Sequence, residues 1–469
     1  MIKHYLLSPG PTPIPSEVQL AMAETMIHHR TPQFNQIFNE TRTGLKKLFG
    51  TKNDVIMLAS SGTGAMEASV ANLFSPGDKV LVVNGGKFGE RWLNISNAYG
   101  LNPVELKVEW GQAVKVADVE RLLKAHSDIQ GVMIQASETS TTVFHPVKEI
   151  AKLTKNGPLF LVDGVTAVGV VPLHMDEWGL DVLVTGSQKA LMLPPGLGFI
   201  ALSDRAWEKT KHAKLPRFYF DLNLERKNQQ KGSGAFTPAV SLIFGARASM
   251  KLLEREGLDN VYARHARLSR ATRAAAKALG LRLLAPTDPS PAATGIYLPD
   301  GIDADQVLDY LRDKMNITLA EGQDQLKGKA IRIAHVGYMG SFDVITAIAA
   351  ELIVLVIAND RIVAAAAFDV LDVLESSTCR VASRALAGVE RQHDVCGGIV
   401  KIDGVVTVST LVRVAAGATE KNIVAAAAIE YVRAAVTGEK IALIAAGEIL
   451  DVDQGITQGI STVASSSHK

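Results

Sequence analysis

Apolar positions along the first 200 residues follow two spacings that alternate along the chain. Short runs in which nearly every position is apolar are typical of strands buried on both faces. Between them, apolar residues recur every three or four positions, as Phe34, Phe38 and Leu45 do before Gly50. The predicted strands are residues 54–59, 79–83, 102–108, 131–135, 159–162 and 181–184, and the predicted helices include residues 16–26 (capped by Ser16), 31–49, 116–126 and 146–154. Strands that alternate with helices predict an α/β fold with a mainly parallel sheet.

Small and polar residues stand at the carboxyl ends of these predicted strands. In a parallel sheet those ends meet at one edge, where α/β proteins bind their ligands. The candidate residues at this edge are Ser61, Gly62, Thr63, Phe88, Ser137, Thr139, Asp163, Ser187, Gln188 and Lys189. Their convergence predicts a binding site there.

The segment Ser-Ser-Gly-Thr-Gly-Ala-Met-Glu at residues 60–67 leads from the first of these strands into a helix. Free backbone N–H groups and the helix dipole favour an anion at such a turn, usually a phosphate. Gly62 permits close approach, and Ser61 and Thr63 add hydroxyl donors. An ordinary strand–helix turn with a capping serine has the same pattern, so the turn alone leaves both interpretations open.

Lys189 follows the strand at residues 181–184 and precedes a turn at Pro194 and Pro195. Burial disfavours the charged form of a lysine, and a desolvated lysine with a lowered pKa is what Schiff-base chemistry requires. The alternative is a surface lysine whose stem lies along apolar residues.

Two further residues at this edge have both a structural and a chemical interpretation. Asp163 can cap a helix, or it can pair with the protonated ring nitrogen of a heteroaromatic cofactor that acts as an electron sink. Phe88 can belong to the core, or it can lie against a flat ring. A phosphate turn, a lysine, an acid and an aromatic platform together describe pyridoxal 5'-phosphate (PLP).

Composition narrows the classes of function. The 469 residues are enough for two or three domains, and a formal net charge of +1 gives no electrostatic reason to expect nucleic acid or an anionic membrane as partner. The only two cysteines, Cys379 and Cys396, argue against a disulfide framework and fit a reducing cytoplasm. We find no spacing typical of metal ligands. The apolar stretch at residues 344–358 is interrupted by Glu351 and is shorter than a membrane span of about 20 residues.

Over about residues 5–345 the sequence resembles the class V aminotransferases, which have fold type I, and it is most similar to the alanine–glyoxylate and serine–pyruvate aminotransferase group. The motifs that carry the resemblance are Leu-Ser-Pro-Gly-Pro-Thr at 7–12, the segment at 60–67, Asn-Gly-Gly-Lys-Phe-Gly-Glu-Arg-Trp at 84–92, Val-Asp-Gly-Val at 162–165, Gly-Ser-Gln-Lys-Ala-Leu-Met-Leu-Pro-Pro-Gly at 186–196 and Ile-Arg-Ile-Ala-His-Val-Gly at 331–337. Their number and order make the resemblance specific.

The resemblance implies a role for each matching residue. Lys189 is expected to hold PLP covalently and to move the proton of the substrate Cα, and Asp163 to keep the pyridine nitrogen protonated. Phe88 is expected to stack on the ring. Arg332 is expected to bind the substrate carboxylate as a planar, bidentate partner, although an arginine between Ile331 and Ile333 can also be a solvated strand residue.

The remaining implied roles concern the phosphate and the ring hydroxyl. Ser61, Gly62, Thr63 and Gln188 are expected to bind the phosphate, and Thr139 to lie near the ring hydroxyl. The segment Gly-Ser-Gly-Ala-Phe-Thr-Pro at 232–238 resembles the loop that reaches the phosphate of a partner subunit, with Thr237 as the matching residue. The resemblance therefore implies a homodimer.

The domain organisation follows from the same resemblance. We expect an N-terminal arm at residues 1–15, a large PLP-binding domain at 16–245 and a small domain at 246–345. Residues 346–469 form an extension rich in alanine and valine. Parts of this extension, near residues 372–388 and 442–448, faintly resemble 2-phosphosulfolactate phosphatases, although Glu375 stands where that family has arginine; a small α/β appendage is the alternative.

The function predicted from the sequence is a PLP-dependent aminotransferase, cytoplasmic, that moves an amino group from alanine or serine to glyoxylate or pyruvate in a ping-pong cycle. Aspartate or cysteate is an alternative donor. A cysteine desulfurase or another PLP-dependent lyase is a rival, but a desulfurase needs a nucleophilic cysteine and none precedes Cys379. The rival from another class is a scaffold subunit that has lost catalysis.

Overall fold

The computed structural model describes residues 3–359 and, beyond them, five short strands between residues 395 and 444. The chain divides into two compact units, Met1–Ile362 and Val363–Lys469. The helices are α1 (Ser16–Met22), α2 (Pro32–Phe49), α3 (Gly62–Leu73), α4 (Lys87–Ala98), α5 (Val116–Ala125), α6 (Val147–Thr154), α7 (Met175–Trp178), α8 (Asp204–Lys209), α9 (Leu222–Gln229), α10 (Val240–Glu256), α11 (Leu258–Ala278), α12 (Ala304–Met315) and α13 (Ser341–Asn359).

The strands of the first unit are β1 (Tyr5–Leu6), β2 (Val55–Leu58), β3 (Lys79–Asn84), β4 (Asn102–Lys107), β5 (Gly131–Gln135), β6 (Ser137–Glu138), β7 (Val143–Phe144), β8 (Leu159–Asp163), β9 (Val182–Gly186), β10 (Gly198–Leu202), β11 (Arg282–Leu283), β12 (Ala293–Tyr297), β13 (Ile317–Thr318), β14 (Ala320–Glu321) and β15 (Ala330–Ala334). A seven-stranded sheet has the order β2-β10-β9-β8-β5-β3-β4. Its strands β4, β3, β5, β8 and β9 run parallel, and β10 is antiparallel to both of its neighbours.

Both faces of the large sheet are buried. Along β2, Val55 and Met57 belong to one apolar cluster, and Ile56 and Leu58 belong to another on the opposite face. Helices α2 and α10 contribute to the first cluster, whereas α3 contributes to the second. This explains why the strands are apolar at successive positions rather than at alternate ones, since successive side chains point to opposite faces.

A second, antiparallel sheet has the order β11-β12-β15-β14. Strand β1 pairs in parallel with β13, and the N–H of Ala334 at the end of β15 donates to the carbonyl of Leu7 at 2.8 Å. The N-terminal arm is therefore fixed to the part of the chain that carries the second sheet. None of the described helices is long and apolar enough to span a membrane.

The predicted strands are all present as β2, β3, β4, β5, β8 and β9, and their pairing confirms the mainly parallel α/β sheet. The prediction that Ser16 caps a helix through residue 26 is wrong. Pro15 occupies the cap position without a side-chain hydrogen bond, Ser16 is the first helical residue, and α1 ends at Met22. The division at residues 15, 245 and 345 stays a prediction, and α13 continues through residue 345.

In the second unit, strands β16 (Val395–Cys396), β17 (Ile399–Ile402), β18 (Val405–Val408), β19 (Ile423–Ala426) and β20 (Ala442–Ile444) form one sheet in that order. The pairs β16–β17 and β17–β18 are antiparallel, whereas β18–β19 and β19–β20 are parallel. Residues 372–388, on which the phosphatase resemblance partly rests, lie outside the described residues, and that resemblance stays a prediction.

Candidate active site

Three strand ends meet closely at the carboxyl edge of the seven-stranded sheet. Gly62 opens α3 after β2, and a Cβ atom on it would lie 2.7 Å from Cγ2 of Val165, which follows β8. A Cβ atom on Gly186, the last residue of β9, would lie 2.8 Å from Gln188 Oε1 and 3.3 Å from the Gly62 nitrogen. These glycines let the turn after β2 and the ends of β8 and β9 approach one another.

The Lys189 side chain is buried under the N-terminal arm. Its Nζ donates to the carbonyl oxygen of Pro9 at 2.6 Å, and its own carbonyl accepts a hydrogen bond from Thr12 Oγ1 at 3.0 Å. A Cβ atom on Gly10 would overlap the lysine amine, so the arm can cover Lys189 only with glycine there. Burial, followed by the positive charge of Arg332, lowers the pKa of Lys189 to about 8. About a tenth of the amine is therefore neutral and nucleophilic at pH 7, far more than for an ordinary lysine.

Asp163 is the last residue of β8 and is only 4% exposed. The N–H of Val165 donates to its Oδ1 at 2.8 Å, the one hydrogen bond of this carboxylate within the described part of the chain. Burial raises the pKa of Asp163 to about 7, and the charge of Glu138 adds to the rise. A cationic N–H donor at this carboxylate would lower that pKa again, so the position suits a protonated ring nitrogen.

Arg332 lies in β15 and is buried, so it is not a solvated strand residue. Its Nε and Nη2 donate to the carbonyl of Glu321 at 3.0 and 2.8 Å, and its Nη1 donates to the carbonyl of Thr139 at 3.0 Å. Since a guanidinium carries five N–H groups, one remains on each terminal nitrogen. Burial lowers the pKa of Arg332 to about 10, and the group stays protonated at neutral pH.

The residues predicted to bind phosphate surround the start of α3. Ser61 is its cap, and the Gly64 N–H donates to Ser61 Oγ at 3.4 Å. The Thr63 hydroxyl accepts a hydrogen bond from Arg91 Nη1 at 3.0 Å. Gln188 Oε1 is buried without a hydrogen-bond partner among the described residues. Because rotation of the amide exchanges its oxygen and nitrogen, Gln188 can present N–H donors at the same place.

Thr139 and Phe88 complete the group that the structure brings together. Thr139 Oγ1 and Thr166 Oγ1 are hydrogen-bonded at 2.8 Å, which links the segment after β5 to the segment after β8. Phe88 lies in the first turn of α4, and the Arg91 guanidinium lies 4.8 Å from its ring centroid. The N–H of Phe88 donates to the buried carboxylate of Glu138 at 3.1 Å.

Thr237 is not joined to these residues by any hydrogen bond that the described part of the chain shows. It is exposed in the connection between α9 and α10. A role for Thr237 within its own subunit's site is therefore not supported by the geometry of this chain alone.

Sequence reasoning missed two charged residues at the site, Glu138 and Arg91. Arg91 stands in the motif at residues 84–92, and Glu138 stands in the polar segment after the strand at residues 131–135, but neither stretch shows which of its polar residues is buried. Glu138 is 0% exposed and is the fully buried glutamate beside Asp163. A signal was available in the segment Ser-Glu-Thr-Ser-Thr-Thr, whose other members are all small, uncharged residues able to donate hydrogen bonds.

Comparison with known proteins places this geometry in a family. The model of class V aminotransferases matches residues 4–336. The chain is 42% identical over 353 residues to a protein of Synechococcus sp. (strain PCC 6716) named soluble hydrogenase, small subunit, covering 74% of this chain and 92% of that one. It is 36% identical over 337 residues to the L-aspartate–glyoxylate aminotransferase of Paracoccus denitrificans, covering 70% and 85% of the two chains. The solved alanine–glyoxylate aminotransferase from Nostoc sp. has a TM-score of 0.72 at 30% identity, and the match covers 75% of this chain and 95% of that one.

The site's chemistry fits the cofactor of this family. PLP carries a phosphate, a ring nitrogen and an aldehyde, and the chain supplies the α3 N-terminus with Gln188, the underpartnered carboxylate of Asp163 and the desolvated amine of Lys189. With the family match over most of the first unit, the fold is fold type I. The chain belongs to the class V aminotransferases, and its cofactor is pyridoxal 5'-phosphate.

Proposed function

We propose that this enzyme transfers the amino group of a small L-amino acid, alanine or serine, to glyoxylate or pyruvate in a ping-pong cycle. The observation that carries the proposal is that the N-terminal arm links two buried groups: the Pro9 carbonyl accepts from Lys189 Nζ at 2.6 Å, and the Leu7 carbonyl accepts at 2.8 Å from the strand that carries Arg332. An α-amino acid held at Arg332 by its carboxylate brings its Cα toward the Lys189 amine. Two relatives are named as glyoxylate aminotransferases, which supports glyoxylate as the acceptor.

Each residue then has a defined task. The two remaining N–H groups of Arg332 orient the substrate carboxylate. Lys189 Nζ would hold the cofactor covalently and, once the substrate amine had displaced it, would take the Cα proton and pass it to the cofactor carbon that carries the amino group. Asp163 keeps the ring nitrogen protonated, and the bound cofactor acts as the sink for the electron pair that develops at Cα. Phe88 packs against the ring.

The phosphate contacts support a homodimer as the active unit. Ser61, Gly62, Thr63 and Gln188 hold the phosphate from their own subunit, with Thr139 near the ring hydroxyl. Thr237 reaches the phosphate of a second copy, which agrees with its exposure and with its lack of hydrogen bonds to the other predicted site residues in the described part of this chain. Beside it, Phe236 stacks on Tyr219 at 5.1 Å between ring centroids, and Phe218 is 77% exposed. Burial of these aromatic rings would favour association of two copies.

A specific observation favours aspartate as a second donor. One relative is named for aspartate and glyoxylate, and the same Arg332 contact serves any α-amino acid. Cysteate, whose side chain is also anionic, falls in the same class of donor. The scarcity of cysteine supports a cytoplasmic location for the enzyme.

The deciding experiment is an absorbance spectrum of the purified protein loaded with PLP, before and after single amino acids are added. We expect a visible band that is lost on adding alanine, serine or aspartate and restored by glyoxylate or pyruvate. The amino acid that acts at the lowest concentration is the donor.

Failure of this experiment has a defined meaning. If no band forms when PLP is supplied, the transamination proposal is wrong, and a scaffold role becomes the better explanation. The hydrogenase name of one relative would then deserve a direct test, although residues 4–336 contain no cysteine to act as an iron–sulfur ligand.

The lowered pKa of Lys189 predicts how its reactivity depends on pH. Attachment of PLP to the cofactor-free protein requires the neutral amine, so its rate should rise with pH and level off above about pH 8. Replacing Arg332 with glutamine removes a positive charge near Lys189 and should shift the midpoint to higher pH. Stopped-flow absorbance measures both rates. A wild-type rate that still increases steeply above pH 9 would contradict a desolvated amine.

A further inference from the structure

The proposed mechanism leaves one buried carboxylate at the site unused, that of Glu138. Its Oε2 accepts hydrogen bonds from the N–H groups of Phe88 at 3.1 Å and Gly89 at 3.0 Å. Its Oε1 accepts from the N–H of Ser140 at 3.1 Å and from Ser140 Oγ at 2.5 Å. Glu138 forms no ion pair within residues 3–350, so these four donors are what stabilises its charge there.

The surrounding chain is shaped for this carboxylate. Helix α4 begins after Gly86, which cannot supply a side-chain cap, and the first N–H groups of a helix have no partner within it. A Cβ atom on Gly86 would overlap Ser140 Oγ and lie 2.6 Å from Glu138 Cδ. The Lys87 N–H donates to Ser140 Oγ at 3.0 Å. Glu138 and Ser140 therefore act as the cap of α4 from a distant part of the sequence, where the helix dipole favours a negative charge.

This arrangement joins two parts of the active site. Helix α4 carries Phe88, the residue proposed to stack on the ring, and Arg91, which donates a hydrogen bond to Thr63 at the phosphate turn. The residue after Glu138 is Thr139, whose carbonyl accepts a hydrogen bond from Arg332 Nη1. The position of Glu138 thus sets both the start of α4 and the segment on which the guanidinium rests.

We infer that Glu138 is a positioning residue that holds the ring-stacking residue Phe88 and the carboxylate-binding residue Arg332 in register across the active site. The inference rests on the proposed function for the roles of those two residues. Glu138 itself touches neither the substrate nor the cofactor: it acts through the backbone of α4 and of residues 138–140, and its charge also raises the pKa of Asp163.

The test is Glu138→Gln, which keeps the shape but places N–H₂ where one carboxylate oxygen accepted two donors. In the cofactor-free protein, amide hydrogen exchange of peptides covering residues 84–92 and 137–141 should become faster, measured by mass spectrometry. The dissociation constant for PLP should rise about tenfold or more, because buried donors lose their acceptor. KM for the amino donor should rise as well, since Arg332 loses its alignment.

Asp181→Asn is the control for loss of a buried carboxylate. Asp181 is 3% exposed and accepts hydrogen bonds from the Phe160 N–H at 2.8 Å and from Ser203 Oγ at 2.7 Å, and unlike Glu138 it also pairs with an arginine, Arg205, whose Nε donates at 3.0 Å. It precedes β9 at the opposite edge of the same sheet, so its substitution tests loss of a buried carboxylate away from the site. We expect lower thermal stability in this variant, with PLP affinity and exchange at residues 84–92 unchanged.

Two results would overturn the inference. The first is that Glu138→Gln has the same amide exchange rates and the same PLP affinity as the wild-type protein. The second is that Asp181→Asn changes both quantities as much as Glu138→Gln does. If Glu138→Gln does not fold, Glu138→Asp is measured instead; it keeps the charge but shortens the reach, and it should show the same changes in smaller degree. Should the wild-type protein bind no PLP, the proposed function fails, whereas the exchange of residues 84–92 still decides whether Glu138 holds α4.

Discussion

Replacement of Lys189 with alanine is expected to lower kcat by at least about 10³-fold, because the change removes both the covalent attachment point and the group that moves the Cα proton. The phosphate turn, Asp163 and Phe88 remain, so PLP should still bind, but it should be lost on gel filtration. Borohydride reduction followed by mass spectrometry measures the covalent attachment directly. The wild-type protein should gain one cofactor at the peptide containing Lys189, and the variant should gain none there.

Lys152→Ala is a suitable control for this substitution. Lys152 is an exposed residue of α6, and removing its charge leaves the strand ends at the site untouched. Its variant should retain wild-type kcat and the covalent cofactor. Retention of more than about a tenth of wild-type kcat by Lys189→Ala, far less than the loss expected for an essential acid–base group, would show that another group carries the proton.

The fold could be predicted largely from β2, β5, β8 and β9, because strands buried on both faces leave a local signal in the sequence. Strand β10 was not predicted, although its residues are apolar. Its place between β2 and β9, antiparallel to both, depends on pairing with residues distant in sequence, which no local pattern encodes. The prediction for the start of α1 failed for a local reason. Pro15 takes the cap position and fixes the backbone there, so the Ser16 hydroxyl does not cap the helix.

The site divides in the same way. Lys189, Asp163 and the phosphate turn could be predicted because each follows a strand, and strand ends converge in this class of sheet. Glu138 was missed, because the serines and threonines around it signal a buried glutamate only when they are recognised as its hydrogen-bond donors. The hydrogen bond between the Pro9 carbonyl and Lys189 could not be predicted either, because the two residues are 180 positions apart in the chain.

The N-terminal arm contacts both the second sheet and the lysine that follows the large sheet. The Leu7 carbonyl accepts a hydrogen bond from the Ala334 N–H at the end of β15. Two residues later, the Pro9 carbonyl accepts a hydrogen bond from Lys189 Nζ. Arg332 lies in that same strand β15. Strand β15 therefore carries the Arg332 guanidinium and, through the arm, also helps to fix the Lys189 amine. These short backbone connections explain how residues from distant parts of the sequence could act on one small substrate.

Substitution of Arg332 is expected to impair substrate binding while leaving the cofactor in place. Arg332→Lys keeps a positive charge but loses the planar fork, and kcat/KM should fall about 100-fold; Arg332→Gln loses both, and the fall should be about 1,000-fold. The lysine cannot reproduce the contacts to the carbonyls of Glu321 and Thr139. The dissociation constant for PLP, measured by fluorescence, should stay within about threefold of the wild-type value, because the ring and phosphate contacts are unchanged.

Two comparisons make the prediction specific to the substrate carboxylate. With an amine donor that lacks the α-carboxylate, the wild-type enzyme and both variants should differ little, since the guanidinium then has no partner to lose. Arg282→Lys serves as the protein control: Arg282 is exposed on β11 of the same sheet and lies over the Tyr297 ring at 4.3 Å. It should keep wild-type kcat/KM. An equal loss of activity toward the amine and the amino acid in Arg332→Lys would mean that Arg332 supports the structure of the site rather than binding the carboxylate.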